Sequence, residues 1–75
     1  MNIRDEKFVK AVGERLKEIR IKKSMSQEEL ANTAEIPTNQ IGRIERGEIN
    51  TTLITMKAIA DALSVDVIEL FQFKR

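Results

Sequence analysis

The chain has 75 residues, enough for one small domain, and its content of 41% apolar and 33% charged side chains is typical of a globular protein. Because cysteine and histidine are both absent, disulfides, thiolate metal sites and histidine-based catalysis are excluded, and we expect no cofactor. No apolar run is long enough to cross a membrane, and no apolar segment follows Met1–Asp5, so we expect no secretory signal and a cytoplasmic location. We expect residues 1–75 to form a single domain.

Helix 1 is predicted from Asp5 to Lys22, where apolar residues recur every three or four positions. The net charge is only +1, but residues 1–23 hold eight basic and four acidic side chains. By itself, such a charge-rich helix is more typical of a solvated face than of a binding site. Gly13 lies inside the helix at a cost of about 1 kcal/mol relative to alanine, which predicts that another backbone comes close there. The apolar stripe consists of Phe8, Val9, Val12, Leu16 and Ile19.

Two short helices separated by a turn are predicted next. Helix 2 begins at Ser26 with a capping box, in which the serine hydroxyl accepts the Glu29 N–H and the Glu29 carboxylate reaches back. Pro37 disfavours a helical backbone at the preceding residue and can itself start a helix. Helix 3 is therefore predicted from Thr38 to Arg46, and it stops at Gly47, the residue type expected at a helix end. The inner face of helix 2 is predicted to be Leu30, Ala31 and Ala34.

Helix 4 is predicted from Thr52 to Leu63, and a short helix 5 follows it. Asp66 and Glu69 have the spacing of a second capping box, and residues 72–75 are predicted to fray. Since no alternating apolar pattern is long enough for a strand, the fold class is predicted to be all-α, a compact domain of five helices. The residues of helix 4 predicted to point inward are Leu53, Met56, Ile59, Ala60 and Leu63.

Helices 2 and 3 with their turn have the form of a helix-turn-helix unit over about residues 26–47. In such a unit the second helix lies in the major groove of DNA. Ile41 and Ile44 lie on one side of helix 3, where they can pack on helix 2. Arginine can donate two hydrogen bonds to guanine and asparagine can pair with adenine, so the polar residues on the opposite side can contact bases. Because any exposed helix face is polar, an ordinary solvated face stays open as the second interpretation. That side carries Thr38, Asn39, Gly42, Arg43 and Arg46.

Three segments resemble the phage-repressor/Cro-type helix-turn-helix family, also called the XRE family: residues 26–31 (SQEELA), residues 41–47 (IGRIERG) and residues 62–65 (ALSV). The resemblance extends over about residues 8–71, in the family's order and spacing. It implies a five-helix DNA-binding domain in which Gln27 contacts a phosphate and Arg20 pairs with Glu45. It also implies that the bases are contacted by Thr38, Asn39 and Arg43.

Two positions depart from the family's pattern. The family usually has a glycine, often in the left-handed conformation, in the inter-helix turn, where this chain has Glu35. A non-glycine residue in that conformation costs about 1 kcal/mol. A small polar residue is usual at the position of Gly42, so one side-chain contact is lost and helix 3 is weakened. The resemblance therefore does not define the base preference.

Further residues are expected to contact phosphate groups or a second copy of the chain. Backbone N–H groups and the helix dipole at Gln27 favour an anion, and the other expected phosphate contacts are Ser26, Gln40, Arg46, Asn50 and Thr51. Helix 5 and its tail hold more apolar residues than one inward face can cover. We therefore expect a homodimer interface formed by Val67, Leu70, Phe71 and Phe73. The alternative is that Phe71 closes the core and Phe73 lies in a disordered tail.

These expectations favour a dimeric, DNA-binding transcriptional regulator, repressor or activator, that binds a palindromic operator and responds to its own concentration. Restriction–modification controller proteins, phage Cro-like repressors and antitoxins of this family are similarly small, and the length and the lack of a toxin-binding tail favour a controller. RNA polymerase is a further partner if the protein activates transcription, and no membrane partner is expected. A protein-interaction module with this fold is the alternative. An enzyme is disfavoured because the chain offers no nucleophile with a nearby base.

Overall fold

The computed structural model describes residues 5–73, in which four α-helices are followed by one 3-10 helix. The predicted all-α arrangement of five helical segments is confirmed, although the last segment is a 3-10 helix and not an α-helix. None of the helices in this part of the chain has the length and apolar character needed to span a membrane. The elements are α1 (Glu6–Lys22), α2 (Gln27–Ala34), α3 (Thr38–Glu45), α4 (Leu53–Ala62) and η1 (Val67–Phe71).

One apolar core connects all five elements. Helix α1 packs against α3 and η1, α2 packs against α3 and α4, and α4 also contacts η1. Since α2 and α3 have only eight residues each, they depend on this packing, because isolated helices of that length are not stable in water. The large side chains that are fully buried are Leu16, Leu30, Ile41, Ile59, Leu63 and Leu70.

Helices α1 and α3 cross so closely that only glycine fits at position 13. A Cβ atom on Gly13 would lie 2.7 Å from the carbonyl oxygen of Glu45 and closer still to the carbonyl oxygen of Ile44. Both are backbone atoms of a packed helix, which cannot move aside as the end of a side chain can. The predicted close approach of a second backbone is confirmed, and it fixes the position of α3 along α1.

All four α-helices end in the same backbone motif. At each end one residue has a left-handed backbone with φ between +58° and +72°. The N–H of the next residue then bonds to the carbonyl oxygen five positions earlier, at 2.9–3.1 Å, as in the Schellman motif. Gly47 has this role after α3, as predicted. The other three left-handed residues are not glycines, so each conformation costs about 1 kcal/mol; they are Ser24, Glu35 and Ser64.

Two predictions about the first turns of α4 and η1 are wrong. Leu53 is not an inward residue: it is 82% exposed, and the buried residues of α4 begin only at Met56, one turn further along the helix. Asp66 and Glu69 do not form a capping box. The Asp66 carboxylate accepts the N–H of Ile68 at 3.0 Å, and the Glu69 N–H bonds to the Asp66 carbonyl oxygen at 2.9 Å. This tighter turn follows from the i→i+3 hydrogen bonds of a 3-10 helix.

Candidate nucleic-acid interface

Helices α2 and α3 form a helix-turn-helix with residues 35–37 as the turn. Glu35 has φ +59° and ψ +46°, the left-handed conformation in which the family usually has glycine. The N–H of Ile36 bonds to the carbonyl oxygen of Ala31 at 2.9 Å, which reverses the chain directly after α2. Pro37 then occupies the N-cap position of α3, as its fixed φ allows, and no side chain caps this helix. The first N–H groups of α3 therefore have no side-chain acceptor at the cap.

The outer side of α3 is a row of exposed polar side chains, as the sequence predicts. Thr38, Asn39 and Arg43 are exposed, and Arg46 lies beyond them at the end of the helix. Ile41 and Ile44 are buried on the opposite side, in the core. The row therefore consists of hydrogen-bonding groups, two of them guanidinium groups, on a helix whose other side is fixed by packing.

Gly42 does not belong to this exposed row, which corrects the sequence prediction. It is buried, and a Cβ atom there would lie 3.0 Å from Arg46 Nη1 and 3.5 Å from Gln27 Oε1. The side chains of Gln27 and Arg46 thus cover the backbone at this position. The lack of a side chain on Gly42 makes room for these two longer side chains next to α3.

A buried ion pair between Arg20 and Glu45 joins α1 to α3, as the resemblance implies. Arg20 Nε donates to Glu45 Oε2 at 2.6 Å and Arg20 Nη2 donates to Glu45 Oε1 at 3.1 Å. A third hydrogen bond of 2.8 Å runs from Arg20 Nη1 to the carbonyl oxygen of Met25. The two side chains are only 11% and 1% exposed, so the pair is shielded from water and sets the orientation of α3.

Gln27 takes part in the same network, a role that sequence reasoning missed. Its Nε2 donates to Glu45 Oε1 at 2.9 Å, so the first residue of α2 is tied to the last turn of α3. An amide group has two hydrogens on its nitrogen, and a second one can still be donated to a phosphate. Ser26, just before it, caps α2 in the predicted capping box: its hydroxyl accepts the Glu29 N–H at 3.0 Å, and the Ser26 N–H donates to the Glu29 carboxylate at 2.8 Å.

Glu48 is a second charged residue at this surface that the sequence analysis does not single out. Its Oε2 lies 2.6 Å from Arg46 Nε, and its Oε1 lies 3.9 Å from Arg43 Nε. The hydrogen bond from Arg46 lowers the pKa of Glu48, and the same bond raises the pKa of Arg46. Only its position directly after Gly47 gives a sequence signal, since a helix end turns the next residue back toward the helix.

The remaining expected phosphate contacts lie around the two helices. Gln40, the third residue of α3, is half-buried. Asn50 is exposed and Thr51 is half-buried in the segment between α3 and α4. Asn50 and Thr51 line a groove together with Ile44 of α3 and Leu53 of α4.

The C-terminal residues expected at a dimer interface occupy different environments. Leu70 has no exposed surface, so it is a core residue and cannot contact a second copy; this corrects its assignment. The rings of Phe71 and Phe73 lie on Phe8, with centroids 6.2 Å and 5.8 Å apart, so the predicted fraying is wrong for Phe73. Phe71 is still 37% exposed, and Val67 is half-buried. Lys74 and Arg75 lie outside the described residues.

An apolar surface next to Phe71 includes residues that sequence reasoning placed elsewhere. Phe71 and Leu53 line one groove together with Phe8 and Val9 from the start of α1. Leu53 is 82% exposed and the adjacent Ile54 is 80% exposed. The start of α4 and the end of η1 therefore present a contiguous apolar surface, of a kind that marks interaction sites.

The sequence comparisons give relatives of one kind. The profile described as Helix-turn-helix matches residues 16–70. An immunity repressor protein of Bacillus phage phi105 is 38% identical over 56 residues, which are 75% of this chain and 39% of that protein, so the chain spans about two fifths of its length. The helix-turn-helix-type transcriptional regulator y4dJ of Sinorhizobium fredii is 34% identical over 61 residues, which are 81% of this chain and 79% of that protein.

A solved structure has the same fold at higher coverage. The crystal structure of the restriction–modification controller protein C.AhdI from Aeromonas hydrophila superposes with a TM-score of 0.83 at 36% identity, over 84% of this chain and 96% of that chain. The profile match includes α2, the turn and α3. The chain belongs to the helix-turn-helix family of transcriptional regulators.

Proposed function

We propose that this protein binds double-stranded DNA by placing α3 in the major groove, with Thr38, Asn39 and Arg43 contacting base edges. The observation that carries the proposal is the exposed polar row of α3 on a helix whose opposite side is fixed by Ile41 and Ile44. Arginine and asparagine are side chains that can form paired hydrogen bonds with guanine and adenine in the major groove. A rigid support keeps those side chains in register with the bases.

The proposed phosphate contacts flank this row. Gln27 holds Glu45 with one amide hydrogen and has a second for a phosphate oxygen. Ser26 can donate its hydroxyl hydrogen while it accepts the Glu29 N–H. The other residues of the proposed set are Gln40, Arg46, Asn50 and Thr51, which lie in α3 and in the segment after it.

We further propose that two copies of this single domain bind a palindromic operator as a homodimer. The support is the apolar surface formed by Phe71 with Leu53. Phe73 packs on Phe8, which lines the same groove, and Val67 is half-buried in η1. One recognition helix contacts only a few base pairs, whereas a two-fold dimer contacts two half-sites that are about 34–36 Å apart. Leu70 is left out of this interface because it is fully buried in the core.

The biological role we propose is that of a controller protein that regulates transcription from its own promoter in the cytoplasm. The support is the similarity to C.AhdI, a restriction–modification controller protein, which this chain matches over 96% of that chain. If the regulator activates transcription, RNA polymerase is its further partner. If this protein binds no DNA and binds another protein, the interaction-module alternative is supported instead.

The test is selection of bound sites from random duplexes, followed by fluorescence anisotropy titration of the selected site and of a scrambled duplex. Arg43→Ala is expected to lose about 1–3 kcal/mol on the selected site and little on the scrambled duplex. Lys57→Ala, which removes an exposed positive charge on α4, is the matched control and should change neither titration. Equal losses of Arg43→Ala on both duplexes would make Arg43 a phosphate contact, and failure to select any site would overturn the proposed function.

A further inference from the structure

Glu48 places a carboxylate against two arginines of the proposed DNA-binding surface. Its Oε2 lies 2.6 Å from Arg46 Nε, and its Oε1 lies 3.9 Å from Arg43 Nε. The Glu48 side chain is 47% exposed and that of Arg46 is 58% exposed, so the pair faces solvent at a residue that we propose to contact phosphate. The two guanidinium groups are therefore partly neutralised in the free protein.

The position of Glu48 is set by the end of α3. Gly47 adopts φ +72°, and the N–H of Glu48 then bonds to the carbonyl oxygen of Arg43 at 2.9 Å. This hydrogen bond ties the Glu48 backbone to Arg43, one of the two arginines that its carboxylate approaches. The carboxylate thus stands beside the arginines as a consequence of the helix-ending motif.

A carboxylate and a phosphate bind a guanidinium group in the same way, through charge-assisted hydrogen bonds. While Glu48 holds its Nε–H, Arg46 can offer a phosphate only its Nη–H groups, on a guanidinium group whose charge the carboxylate already partly neutralises. Binding to DNA of any sequence depends mainly on phosphate contacts by basic side chains. A carboxylate that occupies one of those side chains weakens this binding before any base is contacted.

We propose that Glu48 is an internal competitor for phosphate, which holds Arg46 in the free protein and thereby lowers the affinity for non-specific DNA. The proposal rests on the proposed DNA-binding function, and it assigns to Glu48 a role in limiting that function. The regulator then spends less time on unrelated sequence, because Arg46 is released only where other contacts replace the ion pair.

The test uses fluorescence anisotropy with a labelled duplex of scrambled sequence, at several salt concentrations. Glu48→Gln is expected to bind this duplex about two- to five-fold more tightly than the unmodified protein, the range that an exposed ion pair allows. The plot of log affinity against log salt should also become steeper, by up to about 0.9 for one added phosphate contact.

Glu18→Gln is the matched control. It removes the same charge from an exposed glutamate that is hydrogen-bonded to an arginine, Arg15. Arg15 also donates to the Glu69 carbonyl oxygen, so this pair lies on the η1 side of α1. Any effect of overall charge appears equally in both variants, and only the excess in Glu48→Gln supports the proposal. The thermal unfolding midpoints should change little, since the Glu18 and Glu48 side chains that are altered are 59% and 47% exposed.

The Arg46→Ala background identifies the partner. If Glu48 acts by holding Arg46, the gain from Glu48→Gln should fall to the level of the Glu18→Gln control when Arg46 is absent. A gain that persists without Arg46, a gain no larger than that of the control, or weaker binding by Glu48→Gln would each overturn the inference. Absence of binding by the unmodified protein at low salt would instead refute the proposed function itself.

Discussion

Removing Arg20 tests whether the buried ion pair fixes α3 on the rest of the molecule. The Glu45 side chain is 1% exposed and accepts hydrogen bonds of 2.6 and 3.1 Å from Arg20 and one of 2.9 Å from Gln27. Arg20→Met keeps the aliphatic stem but leaves the carboxylate buried without a cation, which costs about 3–5 kcal/mol. A domain of this length has a free energy of unfolding of roughly 4–11 kcal/mol, from about 0.05–0.15 kcal/mol per residue. The variant should therefore lose a large part of its stability.

The assay is urea denaturation followed by circular dichroism, arranged as a double-mutant cycle of Arg20→Met and Glu45→Leu. The double variant should be more stable than the two single losses imply, by about 2 kcal/mol or more, because an apolar pair avoids the cost of one buried charge. Protein concentration must be held constant, since the stability of a dimer depends on it. If the weakest variant is too unstable to measure, the whole cycle is made in a Glu35→Gly background, which we expect to raise the free energy of unfolding by up to about 1 kcal/mol.

The Lys57 and Asp61 pair provides the control cycle. Its charged groups lie 2.8 Å apart on the surface of α4, with both side chains 61% exposed, so the coupling should be about 0.3–0.5 kcal/mol. Losses in the Arg20 and Glu45 cycle that add within about 0.5 kcal/mol would refute the reasoning, because they would mean that the two charges do not depend on each other.

Four further changes test other features of the structure. Gly13→Ala should lower the free energy of unfolding in urea denaturation by about 1–3 kcal/mol, because its Cβ would meet the carbonyl oxygen of Ile44. An unchanged free energy would contradict the close helix crossing. Glu35→Gly should raise the free energy of unfolding by up to about 1 kcal/mol, since it relieves a left-handed backbone at φ +59°, and a loss of stability would refute this. Leu53→Ser should weaken self-association in sedimentation experiments and change the stability of the monomer by less than about 0.5 kcal/mol, whereas Leu70→Ala should cost about 2–5 kcal/mol. Unchanged sedimentation of Leu53→Ser would remove this surface from the proposed dimer.

Local signals in the sequence were sufficient to predict the four α-helices and their ends, but not the 3-10 geometry of the last segment. The capping box of Ser26, the stop at Gly47 and the first turn after Pro37 all involve atoms within one helical turn of each other. Such interactions depend on neighbouring residues alone, so they can be inferred before the fold is known. The apolar spacing likewise identified Ile41 and Ile44 as the inner side of α3, and with it the exposed row that carries Arg43.

Tertiary structure decided which residues the neighbouring helices cover. Periodicity shows which side of a helix is apolar, but not how far the neighbouring helices extend along that side. It therefore could not show that Leu53 is exposed at the start of α4 and that Leu70 is fully buried. The same limit applies to polar groups. Gln27 and Glu45 are 18 positions apart and meet only because α2 and α3 pack together. Their hydrogen bond depends on how the two helices are docked, a relation between distant segments that no local pattern in the chain specifies.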